Sequence, residues 1–249
     1  MYFKSLSDLS KDIHEWIPDL PENIELIVGI PRSGMLVASI VSLKLNLPLA
    51  ELDGFLQGHV LGKGRRMHEL DNKTFLNKQR KVLILDDSVS SGKAMTETKE
   101  SLFKANLGHE IVYGAVYVTQ KGKTFVDIYF EILQNPRRFE WNILSSPDIK
   151  NFCFDMDGVL CNDPLPYEND DGDKYKEFIG KAKPLYIPNN IIGNIVTSRL
   201  EKYRSETEDW LRANNIKYKK LNMLNIANKE LRIKNNSSID FKSEFYKKL

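Results

Sequence analysis

The sequence predicts an α/β protein of two domains, each built on a mainly parallel sheet. Three observations carry that prediction. Continuous apolar runs bounded by turn residues, "IELIVGI" at 24–30 and "VLILD" at 82–86, read as strands buried on both faces. Stretches of helical character alternate with them, as crossovers between parallel strands require. One outline also occurs twice: an apolar strand, clustered carboxylates, then a glycine, in "VLILDDSVSSGKAM" at 82–95 and in "FCFDMDGVL" at 152–160.

The elements follow in order. Leu6–Trp16 reads as an amphipathic helix ended by Pro18 and Pro21. After the 24–30 strand, "SGMLVASIVSLKLN" reads as a helix opening past Pro31 and Arg32. The polar, glycine-spotted stretch at 59–75 reads as a mobile excursion carrying a basic cluster at 63–66. "VLILD" is a strand and "AMTETKESLFKANLG" a helix closed by Gly108. "IVYGAVYVT" and "VDIYFEIL" are strands, and "SSPDIKN" at 145–151 is a linker, which places the domains at 1–148 and 149–249. In the second domain "FCFD", "GNIVTS" and "KYKKLNML" read as strands and "RSETEDWLRANN" as a helix.

The 249-residue length suits two modest domains, and an apolar content of 41% suits a real core. A formal net charge of +2 lacks the basic field that nucleic-acid binding draws on, so no nucleic-acid partner is expected. The two cysteines sit in an apolar strand (Cys153) and after a glycine turn (Cys161), which points to a reducing cytoplasm rather than a disulfide framework. No segment approaches the roughly 20 apolar residues of a membrane span, so no membrane partner is expected.

Buried strands of an open α/β sheet end at the ligand edge. Asp86 and Asp87 should therefore face a crevice, where adjacent carboxylates match the two hydroxyls of a vicinal diol. The loop Ser88-Val89-Ser90-Ser91-Gly92 then enters a helix, and its backbone N–H groups and hydroxyls form an anion seat. Acid pair and cradle together describe a ribose 5-phosphate pocket; solvated aspartates in an ordinary strand–turn–helix are the alternative. In the second domain, Asp155 and Asp157 at a strand end could act as nucleophile and acid on one phosphate, with Mg²⁺ between Asp155 and the Asp157 carbonyl.

The 82–95 stretch resembles the signature of type I phosphoribosyltransferases, and "IVGIPRSGMLVA" at 27–38 resembles their pyrophosphate loop. The likeness spans roughly 26–142, and the excursion at 58–75 matches the position of the family's flexible catalytic loop. It implies displacement of pyrophosphate from phosphoribosyl pyrophosphate by a ring nitrogen of a purine-like base, with Mg²⁺ bridging the pyrophosphate and the ribose hydroxyls. Arg32, Ser33 and Gly34 would hold the leaving group, and Arg65 or Arg66 would close over it unless they are only a solvated basic loop. Gly92 is followed by Lys93 and Ala94 where the family usually has a further glycine and a threonine; Lys93 would then supply charge in place of the hydroxyl. Where 6-oxopurine enzymes often carry a lysine, this chain has Thr119, with Lys121 and Lys123 nearby. Phe139 or Trp141 would stack on the base, or else pack the end of the sheet.

"DMDGVL" resembles the nucleophile motif of haloacid dehalogenase-like (HAD) phosphatases, "NIVTSR" their second motif with Thr197 or Ser198 on the phosphate, and "DFKSEFY" their third with Lys242. The interval 162–190 leaves room for a small cap only. The family's fourth, acidic motif has no counterpart before Leu249, so the expectation is an incomplete domain with little phosphatase activity. Two other readings stand beside the transferase: a non-catalytic regulator that binds phosphoribosyl pyrophosphate, and a phosphatase whose first domain selects its substrate. A homodimer is left open.

Overall fold

The computed structural model describes residues 2–61, 77–234 and 236–247. The chain divides into two compact units, Met1–Trp141 and Asn142–Leu249. The division falls before the expected 148/149 boundary, and Leu144 packs against the core of the second unit.

Unit 1 holds the strands β1 (Tyr2–Lys4), β2 (Leu26–Gly29), β3 (Leu49–Glu51), β4 (Lys81–Val89), β5 (Glu110–Val118), β6 (Ile128–Ile132) and β7 (Arg137–Phe139). Its helices are α1 (Leu6–Trp16), α2 (Ser33–Leu45), α3 (Leu52–Leu56) and α4 (Lys93–Ala105). Five strands form a parallel sheet in the order β3-β2-β4-β5-β6. The apolar runs bury both faces of it, as a sheet covered on two sides requires. Leu26, Val28, Val82 and Ile84 enter one core cluster, while the alternating Ile27, Leu83 and Leu85 enter the other. Helix α1 buries Leu9, Asp12, Ile13 and Trp16 on one stripe and starts in a capping box between Ser5 and Asp8.

Two local expectations change, and one strand is new. Strand β4 runs on through the acid pair to Val89, so Ser88 and Val89 belong to the strand and the loop shortens to 90–92. Helix α4 closes on Asn106, left-handed at φ 47°, two residues before Gly108, because an asparagine side chain tolerates that conformation. The N-terminal β1, which carries no readable pattern of its own, pairs in parallel with β7, Tyr2 opposite Arg137 and Lys4 opposite Phe139. Most of the excursion at 59–75, with Arg65 and Arg66, lies outside the described residues.

Unit 2 holds β8 (Cys153–Phe154), α5 (Asp173–Lys181), β9 (Ile192–Leu200), α6 (Arg204–Ala213), β10 (Tyr218–Leu224), α7 (Lys229–Lys234) and α8 (Ser237–Lys247). Its parallel sheet has the order β10-β9-β8. Tyr175, Phe178 and Ile179 of α5 and Trp210 and Leu211 of α6 join Phe154, Ile195 and Leu224 of the strands in one core. The 162–190 interval holds a single helix, α5, consistent with its shortness.

Candidate functional site

In unit 1 the site is built on β4. Asp86 and Asp87 are 9% and 4% exposed, so two carboxylates are buried side by side. The Asp87 backbone N–H donates to Asp86 Oδ1 at 2.8 Å, and the Trp141 indole N–H donates to Asp87 Oδ2 at 2.7 Å. Burial, then the neighbouring Asp87 charge, holds the Asp86 carboxyl well above the usual carboxylate range; Arg137 pulls the other way. Arg137 is itself buried, and burial lowers its own proton affinity while Asp87 and Asp86 raise it. Its Nη1 has no hydrogen-bond partner among the described residues.

The 30–34 segment lies against these acids. Ile30 N–H donates to the Leu85 carbonyl at 2.9 Å. A Cβ added at Gly34 would stand 2.6 Å from that carbonyl and 3.1 Å from the Asp86 Cα, so only glycine lets the first turn of α2 approach so closely. This brings exposed Arg32 and half-buried Ser33 to the same edge as the acid pair.

The 90–92 loop leads into α4. Ser90 and Ser91 are exposed, and Gly92 caps the helix at φ 80°. Thr119, from the strand register beyond β5, closes the loop from below: its hydroxyl donates to the Ser90 carbonyl at 3.1 Å and accepts from Gly122 N–H at 2.9 Å. Lys93 stands 3.9 Å from Glu97 on the surface, an exposed pair of a kind that contributes little.

Of the two alternatives for the aromatic residues, the structure describes their packing. Phe139 is 5% exposed and stacks on Tyr117 at 5.3 Å and on Trp141 at 4.8 Å, so its ring packs at the end of the sheet. Trp141 is half-buried and engaged through its N–H with Asp87.

In unit 2, Asp155 follows directly on β8, at the carboxyl edge, with Thr197 beside it: Phe154 pairs with Ile195, two residues before Thr197. Lys242 of α8 forms an ion pair with Asp155, and Met156 N–H donates to the other carboxylate oxygen at 2.8 Å. Arg199, 1% exposed, grips Asp157 with Nη2 at 2.6 Å and Nε at 3.1 Å. The Asp157 side chain thereby forms an ion pair with Arg199. The Arg199 guanidinium also donates to Cys161 Sγ at 3.2 Å, and burial pushes the Cys161 thiol up to about 12. Thr197 is buried and accepts from the Arg199 backbone N–H at 3.2 Å, while the Ser198 carbonyl accepts from Arg232 at 2.9 Å. Among the described residues no three His, Cys, Asp or Glu side chains gather as a metal site.

Arg137 and Arg199 are the residues the sequence reading missed. The signal for Arg199 was a charged residue inside an apolar strand, "NIVTSRL", where a buried guanidinium demands a carboxylate.

Unit 1 thus sets a buried acid pair at the end of a parallel strand, with a glycine-closed loop opening a helix beside it. The chain belongs to the phosphoribosyl transferase domain family, whose model matches residues 2–145. Among curated proteins it is similar to a transcriptional regulator, GfcR, of Methanocella arvoryzae, 27% identical over 112 residues. That match covers 44% of this chain and 53% of the regulator, so the chain spans about half the length of that relative. Among solved structures it is similar to a purine phosphoribosyltransferase from Pyrococcus horikoshii, with a TM-score of 0.41 and 21% identity over 56% of this chain and 92% of that one. It is also similar to the Helicobacter pylori xanthine-guanine-hypoxanthine phosphoribosyltransferase, with a TM-score of 0.42 and 16% identity over 60% and 96% of the two chains.

Proposed function

We propose that unit 1 is a Mg²⁺-dependent phosphoribosyltransferase that joins a nitrogenous, purine-like base to phosphoribosyl pyrophosphate and releases pyrophosphate. The observation that carries this reading is the buried Asp86–Asp87 pair, flanked by the 30–34 segment and the 90–92 loop. Two carboxylates, one of them pushed toward its neutral form by burial and then by the other, suit a ligand that brings hydroxyl donors and positive charge.

In this reading Asp86 and Asp87 accept from the ribose hydroxyls and stabilise positive charge developing on the sugar. Ser90, Ser91 and Gly92, with the helix start behind them, seat the 5-phosphate; Ser88, Val89 and Lys93 complete the segment. Arg32, Ser33 and Gly34 hold the leaving pyrophosphate. The Asp86 and Asp87 carboxylates, as hard oxygen donors, would be the residues of this site to hold Mg²⁺ with the ligand, and the ion would supply positive charge there.

Unit 2 is proposed as a HAD-like phosphatase domain with Asp155 as nucleophile, Thr197 or Ser198 and Lys242 on the phosphate, and Asp155 with the Asp157 carbonyl for Mg²⁺. Little activity is expected of it, since among the described residues no group of three metal-ligating side chains gathers to place the phosphate. Phosphate release from nucleoside monophosphates, with Asp155→Asn as the blank, tests this.

The similarity to a transcriptional regulator favours a second reading, in which unit 1 binds phosphoribosyl pyrophosphate without turning it over. Incubating the full chain with phosphoribosyl pyrophosphate, Mg²⁺ and a panel of bases separates the two. Pyrophosphate release that depends on one base supports the transferase; saturable binding with no release supports the regulator.

A further inference from the structure

Trp141 lies 54 residues from Asp87 in sequence, yet its indole N–H meets the Asp87 carboxylate at 2.7 Å. The indole is held from several directions. Its ring lies 4.8 Å from Phe139 at an interplanar angle of 20°, and Phe139 lies 5.3 Å from Tyr117 at 19°. The Tyr117 hydroxyl donates to Asp12 at 2.6 Å, and Lys4 bridges Asp12 and Glu131, each at 2.7 Å. Strand β1 pairs along β7, Glu140 N–H donates to the Lys4 carbonyl at 3.0 Å, and the Glu140 carboxylate accepts from Leu6 N–H at 2.7 Å. The segment that carries the indole is thus fastened to β1, α1 and the sheet before any ligand arrives.

We propose that Trp141 is a positioning residue of the phosphoribosyl site: its N–H occupies Asp87 Oδ2 and keeps the other oxygen of that carboxylate for a ribose hydroxyl. The inference rests on the transferase reading of unit 1. A buried carboxylate beside another carboxylate is repelled by it and would otherwise turn away from its neighbour or draw in water. A charged hydrogen bond from a ring with only two rotatable bonds, itself stacked in place, removes that freedom at little further entropy loss. The orientation is then already set in the free protein, which is the condition for a group to act on charge that develops only during reaction.

The test uses the full chain. Trp141→Phe keeps the stacked ring and removes the N–H. It should lower kcat for pyrophosphate release about tenfold to a hundredfold, the worth of one hydrogen bond to a charged group, with the KM for phosphoribosyl pyrophosphate little changed. Combined with Asp87→Asn, it should add nothing to the loss from Asp87→Asn alone, because it acts through that carboxylate. A merely structural tryptophan would lower the melting temperature and leave kcat in place. Wild-type kcat in a folded Trp141→Phe protein, or losses that multiply in the double variant, overturns the proposal while leaving the transferase reading intact. A wild-type chain that neither binds phosphoribosyl pyrophosphate nor releases pyrophosphate overturns both. Should Trp141→Phe fail to fold, the indole N–H resonances of Trp16, Trp141 and Trp210 serve instead: one of the three should move in Asp87→Asn, and three unmoved resonances overturn the proposal.

Discussion

The Thr119 hydroxyl donates to the carbonyl of Ser90 at 3.1 Å and ties the 90–92 loop to the turn after β5. The same oxygen accepts from Gly122 N–H, which lies so close to β4 that a Cβ there would stand 2.1 Å from the Val89 carbonyl. Thr119→Val should therefore strand a buried amide and a loop carbonyl, lowering stability by about 1–3 kcal/mol. Binding of phosphoribosyl pyrophosphate should weaken with it, while Thr119→Ser should retain both properties. Urea unfolding and calorimetric titration of the two variants check this.

Asp86 gives a pH dependence of determined sign. Its carboxyl is held well above the ordinary range by burial and by Asp87, so the folded chain keeps a proton that the unfolded chain has lost above about pH 3.9. Between that value and the raised one, the folded state binds more protons, and this group's contribution to stability falls as pH rises. Asp86→Asn should accordingly raise the melting temperature at pH 7 and raise it less at pH 4, while abolishing pyrophosphate release. A variant less stable than wild type at pH 7 would contradict the assignment.

Gly92 is constrained twice. Its φ of 80° disfavours any L side chain, and an added Cβ would stand 2.3 Å from the Phe125 ring. Gly92→Ala should lower stability by roughly 1–3 kcal/mol and weaken ligand binding. Adding Phe125→Ala should recover only the part due to the ring, since the backbone part remains. Thermal melts of the single and double variants separate the two contributions.

Arg199 and Asp157 behave as one unit in unit 2. Removing the arginine alone, as in Arg199→Met, leaves the Asp157 charge without its partner and should destabilise unit 2 by about 3 kcal/mol. Arg199→Met with Asp157→Asn should recover a large share, because no charge is then left unpaired. Denaturant unfolding of the three variants gives the coupling directly.

What the sequence determined by itself is what depends on near neighbours. Residues 26–29 and 82–86 carry enough adjacent apolar side chains to read as strands covered on both faces, and the alternation of Leu26 and Val28 against Ile27 is local. The acid pair followed within a few residues by a glycine-closed loop is local as well, so Asp86, Asp87 and the 90–92 segment were legible. So were Asp155 and the Lys242 that meets it, through short motifs of their own. Tertiary structure alone decided which distant groups complete these sites. Trp141 reaches Asp87 across 54 residues, Arg199 reaches Asp157 across 42, and β1 finds β7 at the far end of unit 1. No periodicity encodes such pairs: a short strand or a single polar contact is chosen by the burial it completes, and that burial exists only once the sheets have assembled.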